Sequence, residues 1–318
     1  MKQKIFIALS TFAEFGDEPM KLLKKSGLDF QVNPLKRRLV QSEIIQYARD
    51  CDGIIAGVEP YDNEVLDNLP KLKCISRAGA GIDNISLSKA QEKKIKILNT
   101  PDVVILPVAE LTVAMIFDLL KKLTLHTTLL RAKRWEKHAG FLLSGRKVGI
   151  LGLGRIGKKV ARLLKKLDAD VYGADVAVDR AWAKRHKIKI VPVKKLLGVC
   201  DVLTIHISPA KESPFYLGRA EIARMKKGAM LVNVSRGSWV DDNALYDALK
   251  TGHLAGAALD VFSREPYAGK LCELDNVILT PHIATLTCES RVQMEIQAVE
   301  NCLTYLAGKE VFVSRKHQ

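Results

Sequence analysis

No apolar run in the 318 residues is long enough to cross a bilayer, so a membrane-spanning protein is not expected. Aromatic residues make up only 6%, leaving little of the stacking surface on which single-stranded nucleic acid is held. The six cysteines (Cys51, Cys74, Cys200, Cys272, Cys288, Cys302) form no C-x-x-C and no metal-ligand spacing. That excludes a disulfide scaffold or a zinc ribbon and fits reduced thiols in the cytoplasm, with no metal expected. Repeats and low-complexity tracts are absent. The N-terminus has an apolar part of only five residues, Ile5 to Leu9, followed by acidic Glu14, Asp17 and Glu18. It reads as a first strand rather than a secretory signal. Acidic residues are the minority, 35 against 50 Lys and Arg, for a net charge of +15. The basic residues come in twos and threes along the whole chain, as in Lys24-Lys25, Lys36-Arg37-Arg38 and Lys226-Lys227. On the polar faces of predicted helices they form a solvated surface that attracts small anions, and no nucleic-acid partner is expected.

What is present centres on Gly152-Leu153-Gly154-Arg155-Ile156-Gly157. Lys147 to Leu151 before it is short and β-branched, the pattern of a buried strand. Behind it Ile156, Val160, Leu163, Leu164 and Leu167 recur at helical spacing, with lysines and arginines on the other face. Val171 to Ala174 forms a second strand and delivers Asp175. This βαβ unit is a dinucleotide cradle: the first glycine permits a tight turn, the second lets backbone approach a pyrophosphate, and the third lets helix and strand pack closely. Asp175 stands where a carboxylate accepts hydrogen bonds from ribose hydroxyls and repels a 2′-phosphate, so NAD is expected over NADP.

Upstream, short apolar strands (5–9, 30–32, 53–56, 73–76 and 95–98) alternate with amphipathic helices, the pattern of an open five-stranded parallel α/β domain. Asn99-Thr100-Pro101 breaks it and marks a boundary. A long apolar helix, about 105–120, and a basic one reaching about Trp135 follow. Val108, Leu111, Thr112, Met115, Ile116 and Leu119 on the first could cover either their own domain or a second subunit. A final amphipathic helix spans Ser290 to Leu306 and stops at Gly308.

The later strands end alike. Val202–Ile205 runs into His206, Met230–Val234 into Ser235-Arg236-Gly237, Ala255–Leu259 into Asp260, and Val277–Leu279 into Thr280-Pro281-His282. In an open parallel sheet these carboxyl ends line the ligand crevice. Histidine suits proton transfer near neutral pH, and arginine's planar fork suits a carboxylate. From position alone, His206 and His282 are both candidates for the proton carrier.

Nine segments in order carry a resemblance across nearly the whole chain: Arg77-Ala78-Gly79-Ala80-Gly81-Ile82-Asp83-Asn84, Asn99-Thr100-Pro101, Val108-Ala109-Glu110-Leu111, Gly152 to Gly157, Met225 to Ala229, Asn233-Val234-Ser235-Arg236-Gly237, Leu259-Asp260-Val261-Phe262, Glu265-Pro266 and Thr280-Pro281-His282. The chain resembles the D-isomer-specific 2-hydroxyacid dehydrogenases, nearest to the phosphoglycerate-dehydrogenase-like members. The resemblance implies two doubly wound parallel-sheet domains: a flavodoxin-like substrate domain (1–101 plus 284–318) and a Rossmann NAD domain (102–283). His282 would be the general acid/base, Glu265 its carboxylate partner, and Arg236 the holder of the substrate carboxylate. Backbone N–H groups around Ala78 and Gly79 would complete the carboxylate site, with Arg77 also binding the substrate. Arg155 and Ile156 would contact the pyrophosphate, Asp175 the ribose and Asp260 the nicotinamide carboxamide, with His206 and Val234 also lining the cofactor. A homodimer joined through the cofactor domains is implied. The favoured substrate is 3-phosphoglycerate, at the entry to serine biosynthesis; the alternatives are glyoxylate or hydroxypyruvate reduction and an NAD-sensing corepressor-like binding protein, which lacks support because the sequence shows no long tails. Formate oxidation is disfavoured by Glu265, where that branch has glutamine. The family pattern is departed from at Ser208 to Ser213 and at Leu286.

Overall fold

The structure, a computed structural model, describes residues 2–207 and 215–311. The segment Ser208 to Ser213, where the sequence departs from the family pattern, lies outside the described residues. The chain divides into two compact units, one made of the residues up to Val104 together with those from Thr285 onward, the other of Ile105–Ala284.

The first unit is built on β1 (Lys4–Ile7), β2 (Asp29–Val32), β3 (Gly53–Ala56), β4 (Cys74–Arg77) and β5 (Lys96–Asn99). They lie in the order β2-β1-β3-β4-β5 with every pair parallel. The central strands are covered on both faces, which is why Ile5-Phe6-Ile7 and Ile54-Ile55-Ala56 show no polar alternation. The helix Cys288–Leu306 returns to this sheet. Thr287 caps its start, its hydroxyl accepting the Ser290 N–H at 3.2 Å, and Gly308, at φ 74°, follows its end. Met294, Ala298, Val299 and Cys302 on its inner face are buried. Gly53 makes the close approach possible, since a β-carbon there would stand 2.8 Å from the Cys302 sulfur. Cys74 and Cys302, 228 positions apart, are thereby buried with their sulfurs 3.8 Å from one another.

Seven parallel strands form the second unit: β6 (Lys147–Leu151), β7 (Asp170–Ala174), β8 (Lys189–Ile190), β9 (Val202–Ile205), β10 (Ala229–Asn233), β11 (Leu254–Leu259) and β12 (Val277–Leu279). Their order is β12-β11-β10-β9-β6-β7-β8, so the direction of winding reverses between β6 and β9. The two sheets are thus the flavodoxin-like and Rossmann arrangements of a doubly wound α/β protein.

The helix pair that follows β5 in sequence decides one alternative that the sequence left open and departs from the sequence reading at one helix end. In Ile105–Lys121 the residues Val108, Thr112, Met115, Ile116 and Leu119 are buried within the second unit, against the helix Arg155–Lys166 and strands β10 and β11. They are core of their own unit, and a second subunit is not needed to cover them. At roughly 1.5–3 kcal/mol for each fully buried large side chain, this stripe anchors the helix. The basic helix ends at Arg131 rather than near Trp135, because Lys133 adopts φ 60° and the Lys133 and Arg134 N–H groups close back on Leu130 and Leu129. Lys122, at φ 58°, breaks the two helices apart, and the Asp118 carboxylate receives the N–H and hydroxyl of Thr124.

Candidate active site

All the chemistry-bearing strand ends of the second unit meet at one edge, because the registers pair Leu151 with Ala174 and Ile205, Asn233 with Ile205 and Leu259, and Leu259 with Leu279. The residues that follow, Gly152, Asp175, His206, Val234, Asp260 and Thr280, therefore come out side by side.

The glycine turn has three different reasons for its glycines. Gly152 sits at φ 95°, and a β-carbon there would press within 2.6 Å of the His206 carbonyl. A β-carbon on Gly157 would collide with the Gly152 carbonyl oxygen, so the third glycine is needed for the helix to touch the strand end. Gly154 is at φ −69°, open to any residue, and no described residue other than its chain neighbours lies within 4 Å of where its β-carbon would be. The fold does not require glycine at 154; the space above it fits a pyrophosphate approaching the backbone, beside the helix start formed by Arg155, Ile156 and Gly157, whose N–H groups have no helical acceptor. Asp175 is held in place by the N–H groups of Leu153 at 2.5 Å and Ala177 at 2.9 Å. Each of its oxygens keeps acceptor capacity for a ribose hydroxyl.

The two histidines separate clearly. His206 has its Nε2 2.9 Å from the Thr204 hydroxyl, and burial pushes the imidazole down to about 3. It is neutral at physiological pH and is not placed to carry protons. His282 instead has its Nδ1 2.9 Å from Glu265 Oε2, with half of its side chain exposed. Glu265 is fixed from its other oxygen, which accepts the Phe262 N–H at 3.1 Å. A carboxylate on Nδ1 holds the proton there and leaves Nε2 as the nitrogen that exchanges protons with a ligand.

The backbone at His282 is unusual, with φ 55° in a non-glycine residue. Asp260, fully buried, holds that turn. Its carboxylate accepts the Thr280 hydroxyl at 2.6 Å, the Ile283 N–H at 2.8 Å and the Ala284 N–H at 2.9 Å. Burial pushes its pKa up, and these three donors act in the opposite sense. Asp260, which the resemblance implies touches the nicotinamide carboxamide, holds the segment that presents His282 with both oxygens, and Oδ2, with a single donor, keeps acceptor capacity. Arg236 is positioned in a similar manner. Buried Asn233 donates to the Arg236 carbonyl at 2.8 Å and accepts the N–H and hydroxyl of Ser235 at 3.1 and 3.0 Å. Gly237 must lack a side chain because it packs on the Phe262 backbone, three residues before Glu265.

In the first unit, the turn after β4 folds the Arg77 side chain over Gly79, where any β-carbon would collide with its guanidinium, and Nη1 donates to the Ala78 carbonyl at 2.7 Å. The N–H groups of Ala78 and Gly79, expected to receive a substrate carboxylate, are already given to the Ala56 carbonyl at 2.9 Å and the Thr100 hydroxyl at 2.7 Å. Of that turn, Ala80 and Gly81 are the residues whose N–H groups have no hydrogen-bond partner among the described residues. The supporting roles of Thr204, Asn233 and Thr280 escaped the sequence reading. The signal available was a polar residue within or just beyond an otherwise apolar strand, beside a more conspicuous one.

Comparison with known proteins carries the remaining evidence. The family model described as "D-isomer specific 2-hydroxyacid dehydrogenase, NAD binding domain" matches residues 113–284. D-3-phosphoglycerate dehydrogenase of Archaeoglobus fulgidus is 33% identical over 300 residues, 93% of this chain and 56% of that protein. Glyoxylate reductase of Korarchaeum cryptofilum is 32% identical over 320 residues, 97% of this chain and 94% of that protein. The chain spans about half the length of the phosphoglycerate dehydrogenases it matches. Among solved structures, the TT0316 protein from Thermus thermophilus superposes with a TM-score of 0.88 at 29% identity, covering 97% of this chain and 98% of that one. With more than half of its length matching the family's cofactor-binding domain and 33% identity to a curated member across most of the rest, the chain belongs to the D-isomer-specific 2-hydroxyacid dehydrogenase family, with residues 113–284 its NAD-binding domain.

Proposed function

We propose that the protein transfers a hydride between NAD(H) and a small D-2-hydroxyacid or its 2-oxoacid, acting on the CH–OH group. The observation that carries this reading is the His282–Glu265 pair, 2.9 Å apart, at the sheet edge that also bears the dinucleotide turn. Nicotinamide supplies or accepts the hydride when bound. His282 Nε2 gives the proton to the carbonyl oxygen during reduction and takes it from the hydroxyl during oxidation. Glu265 fixes the ring's tautomer and orientation through Nδ1. Arg236 holds the substrate carboxylate with its planar fork and so orients the carbonyl. Gly154, Arg155, Ile156 and Gly157 hold the pyrophosphate and Asp175 the ribose, which favours NAD over NADP. The first unit is the substrate-binding domain, with Arg77 and its turn as the anion-holding element. Relatives named D-3-phosphoglycerate dehydrogenase and glyoxylate reductase both support a small anionic 2-oxoacid, either phosphohydroxypyruvate or an unphosphorylated acid.

NADH oxidation followed by absorbance tests this with phosphohydroxypyruvate, hydroxypyruvate, glyoxylate and pyruvate. Wild type is expected to turn over at least one of them. His282→Ala should retain NADH binding and lose roughly a hundredfold or more in kcat, the contribution of a general acid/base. Full turnover by His282→Ala would sink the mechanism.

A further inference from the structure

Three loops follow strands β1, β3 and β4 in the first unit, at residues 10–16, 57–61 and 77–81; as the carboxyl-end loops of the parallel sheet in the proposed substrate-binding domain, they would receive the tail of the substrate. Arg77 is the one Lys or Arg that the three contain, and two glutamates, Glu14 and Glu59, accompany it. Glu59 is 2% exposed, with its carboxylate tucked under its own turn, where it accepts the Gly57 N–H at 2.8 Å. β3 and β4 are neighbours, Ala56 opposite Arg77, so this carboxylate stands beside the turn that carries the Arg77 guanidinium. Burial pushes the Glu59 pKa up, while the charges of Arg38 and Arg77 act on it in the opposite sense. Arg38 reaches the same loop, donating to the Val58 carbonyl at 2.8 Å.

The 10–16 loop shows the same matching. Arg291 reaches Thr11 Oγ1 at 3.1 Å but is paired at 2.9 Å with Glu295, 1% exposed, whose other oxygen accepts the Ala13 N–H at 2.8 Å. Among the described residues, Arg291 is paired with buried Glu295, and Arg38 and Arg77 lie close enough to buried Glu59 for their charges to act on it. A phosphate dianion needs surplus positive charge or an uncommitted guanidinium fork. A buried negative charge near it is poorly screened by salt and repels it strongly.

From this charge matching we infer that the substrate is an unphosphorylated 2-oxoacid, with its carboxylate as the one charged group and an uncharged tail, and that Glu59 is the residue that discriminates against a phosphate. This inference deepens the dehydrogenase reading and depends on it.

Hydroxypyruvate and phosphohydroxypyruvate differ only in the phosphate and provide the test. Wild-type protein assayed with NADH should show kcat/KM at least about tenfold higher for hydroxypyruvate. Glu59→Gln keeps an oxygen for the Gly57 N–H while removing the charge, and should move the ratio of the two kcat/KM values toward the phosphorylated acid by about tenfold or more. A loop-closing role alone would change both substrates together and leave the ratio fixed, which would overturn the assignment to Glu59. A wild-type preference for phosphohydroxypyruvate would overturn the substrate class, and this measurement does not depend on the variant folding. Failure of wild type to turn over any 2-oxoacid with NADH, hydroxypyruvate included, would instead overturn the dehydrogenase reading itself.

Discussion

At the scale of single residues, the contrast between His206 and His282 shows how surroundings rather than position set protonation. Both follow a strand of the same sheet, yet one is turned to a threonine in a desolvated setting and the other to a carboxylate at the surface. The His206 pKa is moved from 6.5 to about 3, which has a consequence for stability. Between those values the unfolded chain binds a proton at this site and the folded chain does not, so stability is lost as pH falls below about 6.5. The loss is at most about 1.4 kcal/mol per pH unit. The buried carboxylates Asp260 and Glu295, raised by desolvation, act with the opposite sign, gaining relative stability as they protonate. Comparing variants isolates the histidine. Urea unfolding midpoints of wild type should decline between pH 6.5 and 4.5 more steeply than those of His206→Gln, which keeps a polar atom for Thr204 and cannot take up a proton. Parallel slopes would show that His206 is solvated and free to titrate.

Secondary-structure elements were legible in the sequence to the extent that they carry a period. Strands β1, β3, β6, β9, β10 and β11 are nearly continuous apolar runs, and their parallel order follows from the helices between them. The two-residue β8 is too short to show one. A side chain's partners are legible only when a resemblance supplies them: the Glu265–His282 pair was expected in this way, whereas Glu59 lies among charges from other elements and Glu295, paired four residues away with Arg291, is tied to Ala13 282 positions away. Conformation at single points also hides, since Lys122 and Lys133 take positive φ with no residue type to announce it. The dinucleotide turn offers a direct test of how far a motif can be split into structural and ligand-directed parts. Gly157→Ala forces a methyl group into the Gly152 carbonyl and should cost about 1–3 kcal/mol, visible as a melting temperature lower by several degrees. Gly154→Ala meets no described residue within 4 Å and should melt within about one degree of wild type, yet bind NADH about tenfold more weakly. If the two variants lose stability equally, Gly154 is a structural glycine and the space above it is not a pyrophosphate seat.

At the scale of the whole molecule, the question is whether the chain acts alone. In the second unit, just after the helix Ile105–Lys121, Leu123, Leu130, Trp135 and Leu142 are 55%, 57%, 80% and 70% exposed. With Phe141 at 42%, five large apolar side chains within twenty residues are exposed. The occupant we expect is a second copy of the chain, joined through the cofactor-binding unit as the family resemblance implies. Sedimentation velocity should then give a particle of about twice 35.2 kDa. Trp135→Ser combined with Leu142→Ser removes apolar surface from both partners. At roughly 1.5–3 kcal/mol for each side chain fully buried, and about half that for ones already partly covered, the dimer should weaken on the order of a thousandfold and run as a monomer at micromolar concentration. Charge acts against this association, because each chain carries a net +15 and two copies repel. Raising the salt concentration from low ionic strength should therefore tighten the wild-type dimer by screening that repulsion, whereas an interface held by ion pairs would loosen. A wild-type chain that sediments as a monomer at every salt concentration would leave the exposed tryptophan to some other partner and remove the dimer from the reading.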